Sequence, residues 1–166
     1  MKKIFLILSL VLMPIIAIAK GSGYSNTEWG MNPKQVISVE KNKVKIIEPR
    51  EYSTGWAKAE NNEIKIDGSS YTATFVFDEK DALVATYLTS NTKDNIGIAN
   101  LEFNTLEKLL NQKYGKPLYK SGDTVTWKTN STSIELKKLI FNRGAFAQAV
   151  VNYEPASKST RDTSNL

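Results

Sequence analysis

The chain has no cysteine and no histidine among its 166 residues. Without cysteine there is no disulfide framework, no thiolate nucleophile and no thiolate metal site, so burial of apolar side chains must hold the fold unaided. Without histidine the usual general base near neutral pH and the commonest transition-metal ligand are missing. Serine–histidine and cysteine–histidine catalytic systems cannot be assembled. Zinc enzymes of the common kinds lose their ligands. No cofactor and no metal ion is expected, and no residue is assigned a catalytic role.

A strong charge of one sign is lacking too. The formal net charge of +5 overstates the folded part, because Lys2 and Lys3 lie in the apolar leader and Lys158, Arg161 and Asp162 lie in the polar tail. What remains is a modest solubility charge, not a nucleic-acid footprint, and no nucleic-acid partner is expected. The basic residues Lys41, Lys43, Lys45 and Arg50 are interspersed with Glu40, Glu48 and Glu51, the pattern of a solvated face.

What is present begins with a leader. Lys2 and Lys3 precede an apolar run from Ile4 to Ala19, interrupted by Pro14 and ending in Ala17-Ile18-Ala19. The run is shorter than the roughly 20 residues a membrane-spanning helix needs, and its small residues suit a signal peptidase. Residues 1–19 are therefore read as a signal peptide cleaved after Ala19, and the product as periplasmic or secreted, with no stable membrane anchor after cleavage. A lipid anchor on cysteine is excluded. Residues 20–155 form one domain, and 156–166, polar and without periodicity, a disordered tail.

Within the domain, Asn32-Pro33 marks a helix start, with Asn32 as cap and Pro33 in the first turn, over about residues 33–40. Period-two alternation then predicts strands at 43–46, 52–60 and 63–67, the last two joined by a turn at Asn61-Asn62, and at 71–77 and 83–89. Ile96, Ala99, Phe103, Leu106 and Leu110 share one face of a second helix, stopped by Gly115 and Pro117. Strands at 124–128, 132–140 and 145–153 follow. Helix, strands, helix, strands reads as α+β: one antiparallel sheet of about six to seven strands with two helices packed on one face. The element order also hints at a duplicated helix-plus-hairpins unit.

Gly30-Met31-Asn32-Pro33-Lys34-Gln35-Val36 resembles the opening Gly-Met helix of small exported α+β modules, among them the β-lactamase-inhibitor-like domains and the lipoprotein module of outer-membrane assembly. Tyr114-Gly115-Lys116-Pro117, with Gly122 and Trp127, resembles the Gly-x-Pro…Trp segment of such modules. The two motifs lie far apart in this chain, and the lipoprotein cysteine is missing, so tethering does not transfer. The likeness to the inhibitor-like and outer-membrane-assembly modules implies binding to another protein. Trp29-Gly30 and Tyr114-Gly115-Lys116-Pro117 also resemble small exported bacterial α+β proteins of unknown function, a likeness that implies no activity.

Few residues suggest chemistry. The acidic stretch Asp78-Glu79-Lys80-Asp81 lacks the spacing of a calcium loop and reads as a solvated turn. Ser69 and Ser70 stand in no recognisable motif. Asn130-Ser131-Thr132 matches a glycosylation sequon, relevant only in a eukaryotic secretory setting. Trp127 is expected in the core and Trp29 over the first helix, with Trp56 the tryptophan placed for exposure.

The alternation does define a surface. If Tyr71, Phe75, Phe77, Tyr87, Trp127, Ile134 and Leu136 face the helices, the opposite face carries Thr72, Thr74, Val76, Thr86, Leu88, Thr124, Thr126, Lys128, Glu135 and Lys137. Two helices cannot cover both faces, and an antiparallel sheet tolerates an open one. The expected binding residues are Trp56 and, on this flat, threonine-rich platform, Thr72, Thr74, Thr86, Thr126 and Lys128. The expected function is an exported, non-enzymatic protein-binding module whose partner is an unidentified envelope or extracellular protein. The alternatives are a carboxylate-dependent cell-wall hydrolase and a binder of an anionic polymer or lipid.

Overall fold

The computed structural model describes residues 22–158. The leader at 1–19 and the tail from 159 onward lie outside the described residues. Helix α1 spans Pro33–Val39, strands β1 to β4 span Lys45–Tyr52, Gly55–Ile66, Ser69–Phe77 and Leu83–Ser90, and helix α2 spans Ile96–Tyr114. Strands β5 to β8 follow at Tyr119–Ser121, Thr124–Lys128, Thr132–Phe141 and Phe146–Pro155, with a single 3-10 turn between β7 and β8. All eight strands join one antiparallel sheet in the order β1-β2-β3-β4-β8-β7-β6-β5. Each half of the chain is thus a helix followed by a four-strand meander, and the last strands of the two halves meet at the centre. Among the described residues no helix is long and apolar enough to cross a membrane.

The helix signals act as the sequence requires. Asn32 and Gln35 form a reciprocal capping box, with Asn32 Oδ1 accepting from the Gln35 amide at 3.0 Å and Gln35 Oε1 accepting from the Asn32 amide at 2.8 Å. Asn95 caps α2 by accepting from the Ile98 amide at 3.0 Å, and Gly115 at φ 83° ends it, a conformation that costs glycine nothing. The core lies between the helices and one sheet face. Val36 from α1 and Phe103, Leu106 and Leu110 from α2 join Tyr71, Phe75, Phe77, Trp127, Ile134, Leu136, Val151 and Tyr153. The Trp127 indole N–H is shared between Asn111 Oδ1 and the Gly115 carbonyl, each at 3.1 Å. The same side chain therefore fills the core and ties the C-terminal end of α2 to the sheet. Trp29 is half-buried and donates to the Ser131 carbonyl at 3.1 Å, which fastens the segment before α1 to the start of β7.

The structure corrects three details of the strand reading. Asn61-Asn62 is not a turn: β2 runs through it, with a bulge between Asn61 and Ile64, and Asn61 Oδ1 accepts from the Glu63 amide at 3.1 Å. The true turns lie at residues 53–54 and 67–68. Strand β5, three exposed residues on the sheet edge, is too short to leave a pattern. Finally, β4 has the opposite phase from the one expected. Phe77 pairs with Leu83 but Val76 pairs with Ala85, so Val84 is an extra residue. One extra residue flips every side chain beyond it. Thr86 and Leu88 consequently face the helices, and Tyr87 faces away from them. Ala156, at the start of the expected tail, is buried and its amide donates to the Ser131 carbonyl at 2.9 Å.

Candidate functional site: the open face of the sheet

Among the described residues no helix covers the second sheet face, but that face is not flat. Ala57, Val76, Val84 and Ala85 form a small apolar cluster on it, covered by Ile47, Tyr52 and Tyr87. Tyr52 is on β1 and Tyr87 on β4, three strand steps apart, about 14 Å in a flat sheet. Their rings nevertheless stack at 5.3 Å with an interplanar angle of 18°, and the Tyr87 hydroxyl lies 3.0 Å from Thr54 Oγ1. The β1–β2 hairpin therefore curls over the open face. Register shifts between Ile46 and Arg50, between Ala57 and Ala59, and between Asn61 and Ile64 supply the bend. Gly55 at φ 146° closes the hairpin where a Cβ would sit 2.3 Å from the Phe77 carbonyl oxygen.

The curl leaves two polar hollows. One, of about 280 Å³, lies on the β1–β4 half and is lined by Arg50, Glu60, Thr72, Thr74, Thr89 and Lys93, among others. Glu60 organises it. Its carboxylate pairs with Arg50 and accepts from Thr74 Oγ1 at 2.8 Å. Thr72 Oγ1 donates to Asn91 Oδ1 at 2.9 Å. The other hollow, of about 380 Å³, lies on the β5–β8 half and is lined by Tyr119, Thr124, Thr126, Ser133, Glu135, Asn152 and Glu154. Their common orientation follows from register: Tyr119 pairs with Thr126, Thr126 with Glu135, Glu135 with Asn152, and Ser133 with Glu154. Glu135 is held by Lys137 at 2.6 Å. The Tyr87 hydroxyl between the two halves is raised above the ordinary tyrosine range, first by burial, with smaller contributions from Glu154 and Tyr52.

The sequence-predicted residues divide. Thr72 and Thr74 line the first hollow, and Thr126 lines the second. Lys128 is exposed on the same face, opposite Ser133, at the outer end of β6. Thr74, expected at a solvated position, is buried under its bond to Glu60. Thr86 lies on the other side of the sheet, fully buried between Phe75 and Tyr153, and its hydroxyl has no hydrogen-bond partner. Trp56 is exposed but pairs opposite Phe77 of the core, which puts it on the helix side. Asn152 and Glu154 escaped notice although the alternation about Tyr153 would have placed them outward. Tyr52 and Tyr87 gave no such signal, because bulges hide their phase.

The acidic stretch at 78–81 spends its first carboxylate on its own turn. Asp78 Oδ1 accepts from the amides of Lys80 and Ala82, each at 2.9 Å, and the bond from Ala82 is the main cause of a lowered Asp78 pKa. Among the described residues no group of three or more acidic side chains is placed to hold a metal ion.

The chain belongs to the TP0088 domain family, whose domain matches residues 22–154, nearly the whole of the described fold. No curated protein and no solved structure matches it.

Proposed function

We propose that this protein is an exported, probing surface rather than a catalyst: a binding module of the periplasm or extracellular space that holds another protein on the open face of its sheet. The observation that carries the reading is the shape of that face. A sheet left uncovered only because two helices are too few would need nothing but solvated threonines. This one is curled by bulges, clamped by Tyr52 on Tyr87, and lined by ordered polar side chains in two hollows. Such rigid, preformed concavity lowers the ordering cost of association. The short motifs at Gly30-Met31 and Tyr114-Gly115, which resemble those of protein-binding exported modules, point the same way. The leader is the support for export.

The test is capture from envelope extract by the purified protein and by a Ser133→Arg variant, which fills one hollow without touching the helix side. The reading expects a partner retained by the first and lost by the second. Equal retention by both would move the site elsewhere.

A carboxylate-dependent cell-wall hydrolase draws on one observation, that Glu135 and Glu154 line the same hollow. Glu135 is engaged by Lys137, and the hollow is open to water, which suits binding better than glycosidic chemistry. Turnover of cell-wall material abolished by Glu154→Gln would reverse that preference.

A further inference from the structure

The two hollows have opposite hydrogen-bonding character. On the β1–β4 half Glu60 Oε1 is engaged by both Arg50 and Thr74, its charge is balanced by Arg50, and Asn91 Oδ1 accepts from Thr72. Lys93 lines the hollow, is exposed, and has no ion-pair partner among the described residues. Arg50 keeps the guanidinium donors that Glu60 does not use. That hollow offers donors and positive charge.

The β5–β8 half is the reverse. Glu154 is half-buried in the lining and has no ion-pair partner among the described residues. Asn152 Oδ1 is buried and has no donor, an arrangement that costs free energy until a donor arrives. The two strand lysines on the open face of this half, Lys128 and Lys137, are not among the lining residues, and Lys137 is already paired with Glu135. Tyr119, 57% exposed, lines the outer side of the same hollow, three strand steps from Asn152 along the register. Free acceptors suit a cation that donates through several N–H groups in a fixed fork, and the aromatic rim suits its long stem, which together describe arginine better than any other side chain.

We propose that the partner reads the open face as a dipole. A basic side chain, arginine by preference, enters the β5–β8 hollow against Glu154, Asn152 and Tyr119. A carboxylate of the same partner protein meets Lys93 and Arg50 in the other hollow. The inference rests on the protein-binding reading and supplies the chemistry of the partner. It fixes the orientation in which the partner lies across the central strands β4 and β8, because the reversed placement sets like charges against each other.

Amide chemical-shift mapping of the isotope-labelled protein tests it, with N-acetyl-arginine amide and N-acetyl-aspartate amide as separate probes. The arginine probe is expected to shift Thr126, Ser133, Glu135, Asn152 and Glu154, and the aspartate probe Thr72, Thr89, Asn91 and Lys93. Glu154→Gln should weaken the first response roughly tenfold and leave the second, and Lys93→Gln should do the converse. Added salt should weaken both. The spectrum of each variant reports its folding directly, and Tyr119→Ala, at an exposed edge position, provides a second lesion in the acceptor hollow. Both probes shifting the same hollow, or neither shifting either, overturns the dipole while leaving the protein-binding reading to the capture experiment. Both shifts as expected, with no partner captured by the unaltered protein or with equal capture by Ser133→Arg, overturn that reading instead.

Discussion

Tyr52 stacks on Tyr87 at 5.3 Å although three strand steps separate β1 from β4. The contact fixes the curl of the sheet, and the curl makes the open face concave. Tyr52→Ala should destabilise the protein by about 2–4 kcal/mol, from lost aromatic burial and the uncovered apolar cluster beneath. Amide exchange should rise in β1 and β2 before it rises in β7 and β8. Urea denaturation with exchange read-out checks both, and uniform exchange across the sheet would mean the hairpin is held by something other than this stack.

Gly55 is the hinge of that hairpin. A Cβ there would stand 2.3 Å from a backbone oxygen of Phe77, at a φ of 146°. Gly55→Ala should cost about 2–4 kcal/mol, because neither partner of the clash is a flexible side chain. Gly68→Ala, at φ 83° with nothing within 4 Å, should cost only about 1 kcal/mol. Equal losses in denaturation midpoints would remove the steric argument.

Thr74 and Thr86 lie on opposite faces and should respond oppositely. Thr74→Val removes the donor to Glu60 at 2.8 Å and should cost about 1–2 kcal/mol, a charged hydrogen bond discounted for partial solvent access. Thr86→Val replaces a buried hydroxyl that has no partner, and should leave stability unchanged or raised. Thr86→Val should also leave partner capture intact. Thermal unfolding of the two variants, with the order reversed, would show that β4 keeps the phase its sequence suggests.

That inversion shows what the residues make legible. The capped helix start at Asn32, the apolar face and glycine stop of α2, the core roles of Phe75 and Trp127, and the α+β layering all follow from local chemistry and period. The phase of β4 does not, because Leu83-Val84-Ala85 is apolar in either register and nothing local marks Val84 as the extra residue. The curl is hidden for a related reason: it is the sum of several bulges, and Asn61-Asn62 looks the same in a bulge as in a turn. Of the site, Thr72, Thr74 and Thr126 were readable as outward residues of regular strands. Thr86 was misplaced where regularity failed, Trp56 is exposed as expected but on the helix side, and the pairing of two hollows across β4 and β8 is a property of topology alone.

Buried tyrosines set an alkaline limit. Burial, with Glu40 adding to it, pushes the Tyr24 hydroxyl up to about 12, and burial with Glu102 does the same for Tyr71. The unfolded chain releases these protons near 10 and the folded one near 12. Folding therefore favours the neutral form: stability is full below about pH 10 and falls as pH rises from about 10 through 12. Tyr24→Phe should flatten that fall. Tyrosinate absorbance and denaturation midpoints across the range check it, and a constant midpoint through pH 12 would contradict the burial of these hydroxyls.

The central claim is that the open face holds a partner protein. Photo-crosslinking side chains at Thr89 and Thr126, one in each hollow, and at Leu101 and Lys113 on the exposed side of α2, test it in cells that export the protein. The account expects one protein adduct shared by the two open-face positions and absent from the helix positions. Adducts formed only from Leu101 and Lys113 would contradict it.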